Sequence, residues 1–303
     1  MTAIVRFVDS VAGLARPGVI DDEGVHPIET VATLAALLHH SAAEIREQVT
    51  AALRNPPVGG VPRLLSPIDG DTPVWGAGVT YRVSQEARIE ESGDEDVYIR
   101  VYNADRPELF LKCVAHEVVT DGEPVGRRPD SDNDTPEPEL ALMINTDGEI
   151  VAFGVCNDMC ARAIEGENPL YIPQAKIFAA SCVLAPTMRP AWEVSDAYDL
   201  TIRLRLSRGA DVLFSGTTST SELARTLEEL VECLFCATAF PDGVVLSTGT
   251  CLVPPLEMPS EVGDVIEIAI DDIGSMRNVV TSTDDIKGWM HRRHADPLAT
   301  FEA

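Results

Sequence analysis

Residues 130–176 read DSDNDTPEPELALMINTDGEIVAFGVCNDMCARAIEGENPLYIPQAK, and the fold turns on this stretch. Two apolar runs, Glu137–Asn145 and Glu149–Asp158, flank Asp147-Gly148. Asp-Gly between apolar runs is a strong hairpin signal, and a two-residue type I′ loop needs φ > 0 at both central residues. With that loop Thr146 faces Glu149, and Glu137 lies opposite Asp158. Glu139 is two residues along on the same face, because strand side chains alternate with period two. Directly opposed Cβ atoms are about 5 Å apart. Three carboxylates on one face repel unless a cation or protons neutralise them. An all-oxygen anionic set suits a hard divalent ion such as Mg²⁺. The alternative is a solvated acidic strand face, and a single β-bulge would break the register.

E-x-E at Glu137 and Glu139, N-D-x-x-x-R at Asn157, Asp158 and Arg162, and Gln174-Ala175-Lys176 stand in that order. This series resembles the fumarylacetoacetate hydrolase superfamily over roughly residues 70–280, and EGENPLYIPQAK is similar to its branch that dehydrates 2-keto-3-deoxy sugar acids. The resemblance implies a β-rich catalytic domain built as a rolled mixed sheet; with the domain boundary near residue 66 that the prolines of 55–73 mark, an α+β, β-rich chain is expected, with a small N-terminal domain (1–65) and the catalytic domain (66–303). It implies that Glu137, Glu139 and Asp158 hold the metal, Mg²⁺ first, with Mn²⁺ or Ca²⁺ as alternatives, and that Lys176 works beside the substrate. Arg162 and Gln174 are expected at the substrate through the same motifs. Pro107-x-x-Phe110-x-Lys112 is similar to a further superfamily element; it would place Lys112 near an anionic pocket and makes Glu108 a candidate acid or base. Thr248-Gly249-Thr250 resembles the element that grips a carboxylate. Surface charge on a strand is the plainer reading of Lys112 and Glu108.

The formal charge of −26 has no basic cluster set against it, which argues against nucleic acid. Three lysines (Lys112, Lys176, Lys287) stand beside 20 arginines. An acidic, lysine-poor surface fits a high-salt cytoplasm, where ions screen self-repulsion; an arginine-favouring codon bias is the alternative. No apolar run is long enough to span a membrane and no signal-peptide pattern opens the chain, so a soluble cytoplasmic protein is expected. The seven cysteines are odd in number and scattered, as expected of buried free thiols.

Residues 2–28 read as short strands, Glu29–Leu38 has helical composition, and Ser41 with Glu44 forms a capping box ahead of Ile45, Val49 and Leu53. Five prolines between residues 55 and 73 place a domain boundary near 66. His39-His40 reads as a solvated pair. Gly76-Ala77-Gly78 lacks the third glycine of a dinucleotide fingerprint. It reads either as a close-approach loop bringing Thr80 and Tyr81 to a ligand or as a turn before a strand. Leu200, Ile202, Leu204 and Leu206 alternate with polar residues as a half-buried strand. Ser219 with Glu222 is expected to cap a helix whose Leu223, Leu227, Leu230, Val231 and Leu234 face the core. The polar residues 281–303 are expected to pack late or only in an oligomer.

Three functions follow. The first is a Mg²⁺-dependent dehydratase (hydro-lyase) converting 2-keto-3-deoxy-D-pentonate to 2,5-dioxopentanoate, acting as a homodimer or homotetramer on a small sugar acid. The second is C–C hydrolysis or decarboxylation of a 2-oxo acid. The third is a non-catalytic cation-binding protein. No histidine occurs between His40 and His116, which counts against a histidine-dependent hydrolase. Lys176 counts against a purely stabilising cation site, which would not favour a fixed ammonium beside it.

Overall fold

The computed structural model describes residues 1–81, 100–250 and 252–302. Of the segment that begins at Pro73 and carries Gly76-Ala77-Gly78, Thr80 and Tyr81, residues 73–81 lie within them. Among the described residues a central 11-stranded sheet runs in the order Val25–Pro27, Leu14–Ile20, Ala3–Asp9, Thr187–Pro190, Ile150–Asp158, Pro138–Ile144, Val244–Ser247, Pro73–Gly78, Glu108–Val114. Two short strands, Leu64–Leu65 and Cys182–Leu184, attach beside this path. The sheet is mixed, because Val244–Ser247 pairs parallel with Pro73–Gly78 while its other pairs are antiparallel. A second sheet of five strands follows the order Asp211–Ser219, Thr201–Arg208, Val265–Ile270, Gly274–Ser282, Pro124–Arg127.

Alternation in the hairpin divides two cores. Leu140, Leu142 and Ile144 point to the five-stranded sheet and meet Ile202, Leu204, Leu206, Ile266 and Ile268. Ala141 and Met143 point the other way, toward Ile4, Leu37, Ile45 and Val49 of the front segment. Both faces are covered, which is why each hairpin arm reads as a nearly continuous apolar run. Glu137 and Glu139 share the parity of Ala141 and Met143. The site therefore opens on the face that carries the front segment.

The hairpin register is as expected where it matters, and the turn differs. Cys156 opposes Glu139 and Asn157 opposes Pro138. The Asp158 N–H donates to Glu137 O at 3.0 Å, closing the pair. Gly148 has φ of 80°, whereas Asp147 is not in the left-handed region, so the loop is not type I′. Asn145 caps it: its Oδ1 accepts the Asp147 and Glu149 N–H groups at 3.1 and 2.8 Å. That longer loop places Ile144 opposite Ile150, one residue off the expected register, and a bulge between Ile150 and Ala152 restores it. Two irregularities of opposite effect leave the carboxylates where a two-residue loop would have put them.

Three expectations change elsewhere. Only Leu34–Leu37 of the 29–38 stretch is helical, capped by Thr33. The later helix spans Leu227–Phe235 with Thr226 and Glu229 as its capping box, while Ser219 caps only a short 3-10 turn. The apolar stripe was legible, but Thr226-x-x-Glu229 outcompetes Ser219-x-x-Glu222 because the latter turn ends in extended backbone at Leu223. The C-terminal region does not wait for a partner: Thr283–Ala295 is a helix that buries Ile286 and Trp289, and the Phe301 ring packs edge-on to Trp289 at 5.4 Å. The Ser41–Glu44 capping box is present as expected. His39 is exposed beside Asp242, and His40 lies against the carbonyls of Ala36 and Leu37. Among the described residues all six cysteines are free; Cys113, Cys156, Cys160 and Cys182 are buried, whereas Cys236 is exposed. No helix among them is long and apolar enough to cross a membrane.

Candidate active site

The end of the hairpin brings Glu137, Glu139 and Asp158 together, each offering an oxygen within 4.8 Å of the others. All three side chains are buried. Asn157 pins the hairpin end by accepting the Glu137 N–H at 3.0 Å on its side-chain oxygen. Glu139 is held from the neighbouring strand: its Oε2 accepts Ser247 Oγ at 2.5 Å and the Gly249 N–H at 2.8 Å. Burial, with Asp158 and Glu137 as like charges, pushes the Glu139 carboxyl up to about 8.

Two of the chain's three lysines neutralise part of this charge. Lys176, the last residue of the helix Ile172–Lys176, sets Nζ 2.5 Å from Glu137 Oε2 and 3.3 Å from Asp158 Oδ2. Lys112 approaches from below, 2.5 Å from Asp158 Oδ1, and also donates to Met159 O and Lys176 O at 2.9 and 2.5 Å. Three converging carboxylates outnumber two ammonium groups, and without a cation the third, Glu139, is the one that keeps its proton. A buried all-oxygen set that holds a proton only for want of a positive charge is the donor chemistry of a hard divalent cation, so these residues fit one.

The cleft over the carboxylates is walled by Gly78, Val79, Glu108, Phe110, Glu165, Lys176 and Thr250 among others. Glu108 faces Gly78 across paired strands. A Cβ on Gly78 would stand 2.1 Å from Glu108 Oε2, so glycine is what lets that carboxylate lie over the sheet. Val79 follows with φ of 53°, a left-handed conformation unfavourable for a β-branched residue. Phe110 lies under Lys176 Nζ, 6.0 Å from the ring centre.

The remaining expected contacts divide by position. Thr250 lines the cleft, with Oγ1 near Pro138 O and Leu252 O at 3.3 and 3.1 Å. Thr248 is turned into the sheet, its hydroxyl donating to Leu140 O at 2.9 Å. Gly249 gives its N–H to Glu139, and a Cβ there would strike Thr80 Oγ1. Thr80 is buried behind that turn, donating to Thr248 O at 2.6 Å, and Tyr81 is buried at a bridge to Leu223. Arg162 is buried with Nη1 donating to Pro254 O at 2.7 Å. Gln174 is exposed on the Lys176 helix, and its carbonyl accepts from Arg128 at 3.0 Å.

Glu165 was absent from the expected set. It is buried on the helix Arg162–Glu167, lines the cleft, and accepts from Cys160 Sγ at 2.6 Å. One Glu165 oxygen lies within 4.8 Å of Glu137 and Cys160 ligand atoms. Its position three residues after Arg162, on the same helix face, was the available signal.

This arrangement is that of a fumarylacetoacetate hydrolase-type fold, and the chain belongs to that family: residues 74–281 match the family described as fumarylacetoacetate (FAA) hydrolase C-terminal. Among its relatives is a probable 2-keto-3-deoxyxylonate dehydratase of Haloferax volcanii, 41% identical over 216 residues (71% of this chain, 74% of the relative). A 2-dehydro-3-deoxy-D-arabinonate dehydratase of Saccharolobus solfataricus is 37% identical over 218 residues, 71% and 73% of the two chains. A solved 2-keto-3-deoxy-D-arabinonate dehydratase, complexed with magnesium and 2,5-dioxopentanoate, superposes with TM-score 0.77 at 30% identity, over 93% of this chain and 99% of the other. A fumarylacetoacetate hydrolase of Exiguobacterium antarcticum, 21% identical over 93% of this chain and 100% of its own, shares the fold with TM-score 0.71.

Proposed function

We propose that the protein is a divalent-cation-dependent dehydratase that converts 2-keto-3-deoxy-D-pentonate to 2,5-dioxopentanoate and water. The observation that carries this reading is one cleft holding Glu137, Glu139 and Asp158 beneath Lys176 and Glu108. The likeness to two sugar-acid dehydratases supports the substrate class. A Mg²⁺ ion on Glu137, Glu139 and Asp158 would supply Lewis-acid polarisation of the 2-keto acid head, acidifying C3.

The chain's own groups then move protons. Lys176 Nζ stands over Phe110 and against Glu137, on the cleft wall. With a divalent cation taking over the charge of the carboxylates, Lys176 acts as the free amine and takes a proton from C3. Glu108, half-buried on the opposite wall, gives a proton to the C4 hydroxyl, which leaves as water; a positioned general acid is worth about 10²–10⁴-fold. A second proton passes from C5 back to C3, and the resulting enol becomes the C5 aldehyde as its hydroxyl proton moves to C4. The balance is the loss of one water. Thr250 holds the substrate carboxylate from the cleft wall. Lys112, Thr248, Gly249, Arg162 and Thr80 act one layer out, with Lys112 fixing Asp158 and Gly249 fixing Glu139. Tyr81 is buried at its bridge to Leu223, and the Gln174 carbonyl ties the helix that presents Lys176 to Arg128.

We further assign the enzyme to the cytoplasm as a homo-oligomer, with residues 1–65 as a front unit and 66–303 as the catalytic unit. Incubating the purified protein and Mg²⁺ with 2-keto-3-deoxy-D-arabinonate or 2-keto-3-deoxy-D-xylonate tests the reaction. Appearance of 2,5-dioxopentanoate is expected. Formation of pyruvate and an aldehyde instead would mean C–C cleavage and would end this assignment.

A further inference from the structure

Glu139 is gripped from one side. The strand Val244–Ser247 runs beside it, with Ser247 opposite Ala141. Side chains alternate with period two, so Ser247 stands on the face of Glu139, one diagonal step away. Ser247 Oγ donates to Glu139 Oε2 at 2.5 Å, and the Gly249 N–H donates to the same oxygen at 2.8 Å. The turn that delivers this N–H needs glycine: φ at Gly249 is 96°, and a Cβ there would strike Thr80 Oγ1. Ser247 and Glu139 are both buried, and a low local dielectric strengthens such bonds.

Among the described residues both hydrogen-bond donors to Glu139 fall on Oε2, so Oε1 is the atom it offers to an ion. The other two carboxylates are divided in the same way: Lys176 Nζ is 2.5 Å from Glu137 Oε2, and Lys112 Nζ is 2.5 Å from Asp158 Oδ1. A two-oxygen grip on an ion would disturb a contact already made at each residue. Mg²⁺ takes six oxygens at about 2.0–2.1 Å and keeps several waters, whereas Ca²⁺ takes about six to eight at about 2.3–2.6 Å and accepts two-oxygen carboxylates. Lysines impose the division on Glu137 and Asp158. On Glu139 it is imposed by neutral donors, and the Ser247 hydroxyl is the one that a substitution removes without changing the charge of the site.

We propose that Ser247 is a positioning residue that makes Glu139 a single-oxygen ligand and so tunes the site to Mg²⁺ or Mn²⁺ over Ca²⁺. The inference rests on the reading of Glu137, Glu139 and Asp158 as the ligands of the cation. Without the hydroxyl, Glu139 is held by the Gly249 N–H alone and can turn both oxygens to a larger ion. Outer contacts of this kind are worth about 10- to 100-fold in metal affinity.

Dialysis of the full-length protein against mixtures of Mg²⁺ and Ca²⁺ at constant ionic strength, followed by elemental analysis, reads the preference without turnover. Wild type should hold Mg²⁺ in preference to Ca²⁺. In Ser247→Ala the ratio of bound Mg²⁺ to Ca²⁺ should fall about tenfold or more, and Ser247→Thr, which keeps the hydroxyl, should stay within about threefold of wild type. An unchanged ratio in Ser247→Ala overturns the proposal. So does an equal loss of both ions, which would make the hydroxyl a support of the fold alone. A wild-type protein that binds neither ion overturns the cation reading itself, and this inference with it.

Discussion

Gly78→Ala separates the proposed acid from the rest of the site. A Cβ at residue 78 would stand 2.1 Å from Glu108 Oε2 and 2.7 Å from its Cδ. An ordinary contact at this kind of position is about 3.4 Å or more, so the carboxylate must retreat by roughly 1 Å or swing away. Because what yields is the end of a flexible side chain, the backbone has little reason to move. Gly78 is not in the left-handed region, and replacing such a glycine by alanine removes unfolded-chain entropy worth about 0.4–1 kcal/mol. Stability should therefore change little. A misplacement of about 1 Å in a catalytic group costs on the order of 10²-fold in rate. We expect kcat to fall by about that factor while Mg²⁺ affinity, measured by calorimetry, stays at the wild-type value. Glu108→Gln should lose activity to a similar or greater extent, and the double variant should be no worse than Glu108→Gln alone, since both changes remove one function. Wild-type kcat in Gly78→Ala would refute the placement of Glu108 in the chemistry. Additive losses in the double variant would show that residue 78 acts by another route.

Glu137→Gln and Asp158→Asn should both lose divalent cation by elemental analysis, yet they should differ in stability. Asp158→Asn leaves Lys112, which is fully buried, without its carboxylate, and breaking such a pair costs about 3–5 kcal/mol by denaturant unfolding. Lys176→Ala should retain bound metal and lose turnover and C3 proton exchange in D₂O; retained exchange would remove Lys176 from the first step. Trp289→Ala should destabilise by about 3–5 kcal/mol in the isolated protomer, because that side chain is buried within the chain itself. Melting temperature and activity should rise together from dilute to molar KCl, as the Debye length shrinks to about 3 Å and screens the surplus of 26 negative charges. A flat melting temperature over that range would point to codon bias as the origin of the lysine deficit.

Local chemistry determined much of this protein. Period-two alternation was enough to place Glu137 and Glu139 on one face, because spacing along a strand is a property of the chain alone, whereas Asp158 reaches the expected register through a longer loop offset by a bulge. The motif series from Glu137 to Lys176 specified the family before any contact was known, and Ser41 with Glu44 specified its helix start. The type of turn and the bulge near Val151 go beyond the Asp-Gly signal: Asn145 Oδ1 caps the loop, while its side-chain nitrogen ties the same loop to the front segment by donating to His40 O. The two lysines show the same division. Their scarcity marked them as candidates, but only packing shows that Lys176 reaches Glu137 from the cleft wall while Lys112 supports Asp158 from beneath. Thr248 and Thr250 are two residues apart in one motif, and both hydroxyls bond main-chain carbonyls, Thr248 that of Leu140 and Thr250 those of Pro138 and Leu252, yet only Thr250 lines the cleft. Which of two such residues borders the cleft depends on the carbonyls that neighbouring strands present. That pairing joins residues more than a hundred positions apart, and no local pattern encodes it.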